Sequence, residues 1–131
     1  MVKIELDKRH SEMFPYAIKL AEELGAEKIY IEADVKGKIK HRPDILGIRG
    51  KEYLIIECET SHGNIFNKGG PVHKMSQDEL LRKNASFHFI LRGKAWYRRS
   101  VLKEYFGNDA KIYRFSDLKK KYGEIWPTTK Q

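Results

Sequence analysis

The first half of the chain contains the feature that most constrains its fold: β-patterned runs separated only by short turns. The runs are Lys28 to Val35, Arg42 to Ile48 and Glu52 to Thr60. In the first run, Ile29, Ile31, Ala33 and Val35 alternate with polar residues, which predicts a strand with one buried face. Arg49-Gly50-Lys51 is a tight connection between the second and third runs. Consecutive strands joined by short turns predict an antiparallel meander.

The rest of the chain predicts helices around this meander and further strands. Apolar residues recur at helical spacing ahead of Gly25, and Ser76-Gln77-Asp78-Glu79 has the spacing of a capping box. The predicted elements are a helix over Ser11 to Leu24, a loop over Ser61 to Val72, a helix from Ser76 to about Asn84, a strand over Ser86 to Leu91, a helix over Ala95 to Phe106, a strand over Lys111 to Phe115 and a short basic helix capped by Ser116. This order predicts an α/β or α+β fold with a mixed sheet.

Length and charge narrow the classes of function. The 131 residues suit one domain, and the net charge of +8 favours nucleic acid as a partner. A solubilising surface is the alternative interpretation of that charge. Cys58 is the only cysteine, so an intrachain disulfide and a cysteine-based zinc site are excluded. The chain has no apolar run that could form a signal peptide or cross a membrane, and we expect a cytoplasmic protein without a membrane partner.

Carboxylates gather around the predicted hairpin. Glu57 and Glu59 share one face of the third strand, while Cys58 points to the other. The hairpin brings Asp44 alongside them. Clustered acids repel one another unless a cation neutralises them, and oxygen ligands suit Mg²⁺ or Mn²⁺. The alternative is that both glutamates form the solvent face of an edge strand and that Asp44 is a turn residue.

The run Pro43-Asp44, a short hairpin and an apolar strand ending in Glu57-x-Glu59 resembles the signature of PD-(D/E)xK nucleases. The pattern is most similar to archaeal Holliday-junction resolvases and related restriction-endonuclease-like proteins, over about Ser11 to Leu91. The resemblance implies an αβββαβ core with helices on both faces of the sheet. It also implies that Asp44 and Glu57 are metal ligands, completed by the backbone carbonyl of Cys58.

The sequence departs from that signature at position 59. The family usually has a lysine there, and this chain has Glu59. Under the resemblance, Glu59 is a general base or a second-metal ligand, or else Lys68 or Lys74 has taken over the role of the lysine. The family often adds a glutamate from the first helix, and Glu12 is the best match by position.

Other charged side chains are candidates for contact with the substrate. The nucleic-acid-binding candidates are Arg42, His73, Arg92, Lys94, Arg98 and Arg99. The histidines have no metal-ligand spacing, and we interpret His10, His62 and His88 as structural. The resemblance implies an Mg²⁺- or Mn²⁺-dependent endonuclease acting on DNA, branched or structured DNA included, with a homodimer as one assembly. A lapsed nuclease that binds nucleic acid without cutting it, and a small regulatory or assembly protein, are the alternatives.

Overall fold

A computed structural model describes residues 8–60 and 64–125. His62 and the start of the predicted loop lie outside these ranges. The helices are Lys8–Ser11 (α1), Phe14–Glu23 (α2), Pro71–Ser76 (α3), Glu79–Asn84 (α4), Arg99–Phe106 (α5) and Phe115–Tyr122 (α6). The strands are Lys28–Ile31 (β1), Ile45–Arg49 (β2), Glu52–Glu59 (β3), Ala85–Leu91 (β4) and Ala110–Arg114 (β5). Short 3-10 turns cover Asn64–Phe66, Gly93–Arg98 and Gly107–Asp109.

The strands form one mixed sheet in the order β1-β2-β3-β4-β5. The first three strands pair antiparallel, as predicted for a meander. β4 and β5 then add in parallel, so each is reached by a crossover that contains helices. The predicted α/β class with a mixed sheet is therefore confirmed, and β3 is the central strand.

Helices cover both faces of the sheet, as predicted, and each face has its own apolar core. On one face, α2 and α6 pack against side chains such as Ile56 and Cys58 of β3. On the other face, α3, α4 and α5 pack against Ile55 and the β4 phenylalanines. Glu57 and Glu59 continue the Ile55 face to the end of the strand, where apolar packing gives way to carboxylates.

The first strand is shorter than predicted. β1 ends at Ile31 because Glu32 adopts a left-handed conformation with φ of 53°, and the chain leaves the sheet there. Ile31 is 55% exposed, so the prediction that it lies on a buried face is wrong. β1 is an edge strand of the sheet. Of the residues from Glu32 to Val35, which were predicted to continue it, only Val35 is fully buried. Val35 forms an isolated antiparallel bridge with His41.

Several predicted helix starts also differ. Asp78, and not Ser76, is the N-cap of α4, because its carboxylate accepts the Leu81 N–H at 3.1 Å. Ser76 instead ends α3, which begins at Pro71 inside the predicted loop, and proline suits the first turn of a helix. Ser116 does not cap α6, which begins one residue earlier with Arg114 at its N-cap.

Two long predicted helices are interrupted. The one over Ser11 to Leu24 is helical from Phe14 only, after a turn at Glu12 and Met13 that separates α1 from α2, and Pro15 lies in the first turn of α2. The one over Ala95 to Phe106 begins as a 3-10 turn and becomes α-helical only at Arg99.

Candidate metal centre

Three carboxylates meet where β2 begins and β3 ends. Ile45 pairs with Ile56 across the hairpin, which places Asp44 beside Glu57. One oxygen from each of Asp44, Glu57 and Glu59 lies within 4.8 Å of the other two. The interpretation of the glutamates as the solvent face of an edge strand is wrong, because β3 is central and Glu59 is only 9% exposed.

Backbone hydrogen bonds fix Asp44 against the end of β3. The Cys58 N–H donates to Asp44 Oδ2 at 2.7 Å, and the Asp44 N–H donates to Glu57 Oε1 at 3.4 Å. The Cys58 side chain points the other way, into the core under α2, as predicted. Burial raises the pKa of its thiol well above the usual value, so only the backbone of Cys58 contributes to this site.

His10, at the end of α1, belongs to this cluster, and its interpretation as a structural residue is incomplete. Its Nε2 lies 3.2 Å from Asp44 Oδ2. The hydrogen bond with Asp44 raises the pKa of His10 to about 9, against the effect of partial burial, with smaller contributions from Glu59 and the Cys58 backbone. The imidazolium therefore lies among groups that the family resemblance assigns to a metal. No local spacing signals this, because 34 residues separate His10 from Asp44.

Burial makes the acidic cluster electrostatically unfavourable. Burial, followed by the charges of Asp44 and Glu59, raises the pKa of Glu57 well above the usual range for a carboxyl. Burial and the Asp44 charge raise the pKa of Glu59 to about 8, partly offset by His10. Burial therefore favours the protonated form of the two glutamates, and a divalent ion would relieve the repulsion between the carboxylates.

A cavity of about 310 Å³ opens onto the carboxylates. Its polar lining is His10, Arg42, Asp44, Glu57 and Glu59, and its apolar lining is Ile65, Pro71, Val72 and Met75. Carboxylate oxygens are the donors that Mg²⁺ and Mn²⁺ prefer, and these ions keep waters that need space beside the protein ligands. The donor set and the cavity therefore fit a hydrated divalent cation.

Glu12, predicted as a metal ligand, does not join this cluster. Its side chain is 56% exposed, and its Oε1 accepts a hydrogen bond from Arg92 Nη1 at 2.9 Å. The physical reason is the break after α1, which turns Glu12 away from the carboxylates while His10, two residues earlier, faces them.

The two lysines predicted as substitutes also lie apart from the carboxylates. Lys68 is exposed and does not line the acidic cavity. Lys74 is exposed on α3 and lines a different cavity, beside Ile39 and Asp78. The cationic side chains that line the acidic cavity are His10 and Arg42.

The remaining basic candidates lie on two other parts of the surface. His73 is held by two contacts: its Nδ1 accepts the Gly69 N–H at 2.9 Å, and its ring packs against Tyr105 of α5. Lys94, Arg98 and Arg99 follow β4; Arg99 lies over the Trp96 ring and Arg98 over the Phe66 ring. Arg92, beside them, lines a separate cationic cavity.

Comparisons with known proteins leave the family open. No family model matches the chain, and no curated protein sequence matches it. Among solved structures it is similar to the crystal structure of a protein of unknown function, AF1548, with a TM-score of 0.46 and 17% sequence identity. The match covers 80% of this chain and 58% of that one, so this chain spans little more than half the length of its neighbour. Within the described ranges, none of the helices has the length and apolarity that a membrane span requires.

Proposed function

We propose that this chain is a metal-dependent nuclease of the PD-(D/E)xK kind that hydrolyses phosphodiester bonds in nucleic acid, with DNA, including branched or structured DNA, as the favoured substrate. The observation that carries the proposal is the convergence of the Asp44, Glu57 and Glu59 carboxylates at the end of a central strand, in a cavity large enough for a hydrated ion and a phosphate. The net charge of +8 supports a polyanionic substrate.

Under this proposal, different residues of the cavity bind the metal, accept a proton and bind the phosphate. Asp44 and Glu57 would hold Mg²⁺ or Mn²⁺, which supplies Lewis-acid stabilisation of the phosphate and lowers the pKa of a water. Glu59 would accept the proton of the attacking water, once a bound cation has displaced the proton that burial favours on this carboxyl in the metal-free protein. A P–O bond forms to the water oxygen as the P–O bond to the leaving sugar oxygen breaks, and the leaving oxygen takes up a proton from solvent. Arg42 lines the cavity, where its Nε donates to Asp34 Oδ1 at 2.9 Å, and its guanidinium would exchange part of this pairing for a phosphate oxygen.

Cleavage assays with matched variants test this proposal. Linear, nicked, branched and single-stranded DNA, and a single-stranded RNA, are incubated with Mg²⁺ or Mn²⁺, and with EDTA as the control. We expect metal-dependent cleavage that Asp44→Asn and Glu57→Gln each abolish. The asparagine in Asp44→Asn keeps an oxygen that can accept the Cys58 N–H, so the loss of activity would follow from the loss of charge rather than of this hydrogen bond.

The control variant is Glu52→Gln, which makes the same chemical change at the opposite end of β3. It should leave the rate unchanged. Equal activity in all three variants would remove the catalytic assignment, and loss of activity in Glu52→Gln as well would point to a general effect of charge or folding.

A lapsed nuclease that binds nucleic acid is the second candidate. The observation in its favour is that Glu59 occupies the usual lysine position and neither Lys68 nor Lys74 lines the cavity. If the enzyme is active with Glu59 as base, Glu59→Ala should lower the rate by about 10²–10⁴-fold. Lys68→Ala and Lys74→Ala should have little effect. If wild type binds DNA but is inactive with every metal, and Glu59→Lys gains cleavage, the second candidate is correct.

A further inference from the structure

A second cavity, of about 330 Å³, lies at the edge of the sheet where β4 and β5 end and α6 begins. Three cationic side chains line it: Arg92 after β4, Arg114 at the end of β5, and Lys119 on α6. Among the described residues, no carboxylate lines it. Ser116, in the first turn of α6, contributes a hydroxyl. Its lining shares no residue with that of the acidic cavity.

The positive charge around this cavity is only partly neutralised. Arg92 pairs with the exposed Glu12, and Lys119 Nζ lies 3.9 Å from Glu124 Oε2. Within residues 8–60 and 64–125, Arg114 has no ion pair with a carboxylate. Arg9 adds a further charge nearby, since a Cβ placed on Gly93 would lie 2.6 Å from its Nη2.

Aromatic rings hold these cations in place without neutralising them. The Arg92 guanidinium carbon lies 4.8 Å from the centre of the Phe115 ring, and Lys119 Nζ lies 5.7 Å from the same ring. The Arg114 guanidinium carbon lies 4.9 Å from the centre of the Trp96 ring. A cation over an aromatic face loses conformational freedom but keeps its full charge for an anionic ligand.

This cavity is near the acidic centre on the same edge of the sheet. Glu59, Leu91 and Arg114 are register partners across β3, β4 and β5. Two strand spacings separate Glu59 from Arg114, which is roughly 10 Å between their backbones. The Arg92 N–H also donates to the Glu59 carbonyl at 2.9 Å, so the backbones that carry the two sites are joined directly.

We propose that the cavity formed by Arg92, Arg114, Ser116 and Lys119 binds a phosphate group of the nucleic-acid substrate, about one or two nucleotides from the bond that is cleaved. The chemistry fits a phosphate because arginine forms bidentate hydrogen bonds with its oxygens, and lysine adds a point charge. The position relative to the cleaved bond rests on the proposed function, whereas phosphate binding itself does not. The phosphate is either an internal phosphodiester or a terminal monophosphate.

Oligonucleotide binding in EDTA tests the proposal independently of cleavage. The variant Arg114→Gln/Lys119→Gln removes two charges from the cavity. The control Lys111→Gln/Lys120→Gln removes two charges from the same elements, β5 and α6, at exposed positions that do not line it. Fluorescence anisotropy is measured with labelled single strands of one sequence, bearing a 5′-phosphate or a 5′-hydroxyl.

We expect the cavity variant to weaken binding by about tenfold or more, because two charge-assisted contacts are lost. The control should lose much less. A preference for the 5′-phosphate strand that disappears in the cavity variant identifies a terminal monophosphate. Equal weakening for both strands identifies an internal phosphodiester. Equal loss in the cavity and control variants, or no loss in either, overturns the proposal.

A second measurement uses the unmodified protein and so does not depend on whether the variant folds. Inorganic phosphate is titrated into the wild-type chain while backbone amide resonances are followed by NMR. Saturable shifts should appear at Gly93 and Ser116 and be absent at Lys120. Uniform small shifts, or none, would overturn the proposal.

The failure of this inference can be distinguished from the failure of the proposed function. If DNA is never cleaved but these shifts appear, only the proposed function fails. If cleavage and affinity survive in the cavity variant, only this inference fails.

Discussion

Carboxylates are buried in two regions on the same face of the sheet, and their pKa values are shifted in opposite directions. Asp78, whose side chain is fully buried, accepts hydrogen bonds from four donors. The donors are the backbone N–H groups of Lys38, Ile39 and Leu81, at 2.9 to 3.1 Å, and His41 Nε2, at 3.1 Å. Burial alone would raise the pKa of Asp78, but these hydrogen bonds outweigh it and hold the pKa well below the usual value. The fold itself stabilises this charge.

Glu57 and Glu59 receive far less stabilisation from hydrogen bonds than Asp78 does. Glu57 accepts a long hydrogen bond from the Asp44 N–H at 3.4 Å, and the charges of Asp44 and Glu59 oppose its ionisation. Both glutamates have raised pKa values, so folding costs free energy there in the absence of a cation. A buried carboxylate held by four donors beside a pair with raised pKa values is the contrast expected if the pair serves binding rather than stability.

The two regions are also connected through the segment that precedes β2. Asp78 ties the segment around Lys38 and Ile39 to the start of α4, and Gly37 packs so closely against its carboxylate that a Cβ there would lie 2.5 Å from Oδ2. That segment leads directly into Arg42 and Asp44. Asp78 therefore holds in place the segment that leads to the acidic cluster.

The largest expected contrast is in stability. Asp78→Asn removes the charge that four donors stabilise, and should lower the free energy of unfolding by about 2 kcal/mol. Glu57→Gln removes a group that is costly to bury, and should raise the free energy of unfolding of the metal-free protein. Denaturant unfolding in EDTA near pH 7.5 measures both changes.

Glu79→Gln is the matched control, because Glu79 is adjacent to Asp78 in sequence but its side chain is 84% exposed. It should change stability by only a few tenths of a kcal/mol. If Asp78→Asn and Glu57→Gln changed stability in the same direction, the two carboxylate regions would not differ in the way described.

A smaller effect is expected from pH. His10 and Glu59 both have folded pKa values above their usual ones, at about 9 and about 8, so the folded metal-free protein holds protons that the unfolded chain releases. Stability should therefore fall as the pH rises from 6.5 to 9, by on the order of 1 kcal/mol per pH unit for each such proton. The range starts at 6.5 because His88, buried with a pKa of about 4, gives the opposite slope below it.

Thermal or denaturant unfolding across this range, with and without Mn²⁺, measures the effect. Glu59→Gln should reduce the slope, and saturating Mn²⁺ should reduce it as well, because the ion takes the place of the protons. A metal-free stability that stays level or rises between pH 6.5 and 9 would contradict the assignment of these shifts to the acidic cluster.

The acidic cluster could be predicted from the sequence because its geometry is local. The two-residue period of a strand puts Glu57 and Glu59 on one face, and a short hairpin fixes Asp44 beside them. His10 could not be predicted, since its position depends on how α1 packs against a strand end far along the chain. Asp78 was misread for a similar reason: its sequence neighbours predict a capping box, whereas three of its four donors come from a loop about 40 residues earlier.

In the sheet, too, the features that depend on local sequence were predicted and those that depend on distant contacts were not. β3 and β4 were predicted to within one residue at each end, because alternation acts locally, whereas β2 begins three residues later than predicted. β1 was overextended because nothing local shows that Glu32 adopts a left-handed conformation. The cationic cavity could not be predicted as a unit, because Arg92 meets Arg114 and Lys119 only after the parallel crossover from β4 to β5.

Calorimetric titration of Mn²⁺ is the most direct test of whether the Asp44, Glu57 and Glu59 carboxylates form a divalent-cation site. The titration is run at pH 7.5 in two buffers with different ionisation enthalpies, so that proton release is measured together with binding. The predicted result is saturable binding accompanied by release of protons from the cluster, which is lost in Asp44→Asn/Glu57→Gln and retained in Glu52→Gln. Absence of saturable binding to the wild-type chain, or undiminished binding to the Asp44→Asn/Glu57→Gln variant, would contradict it.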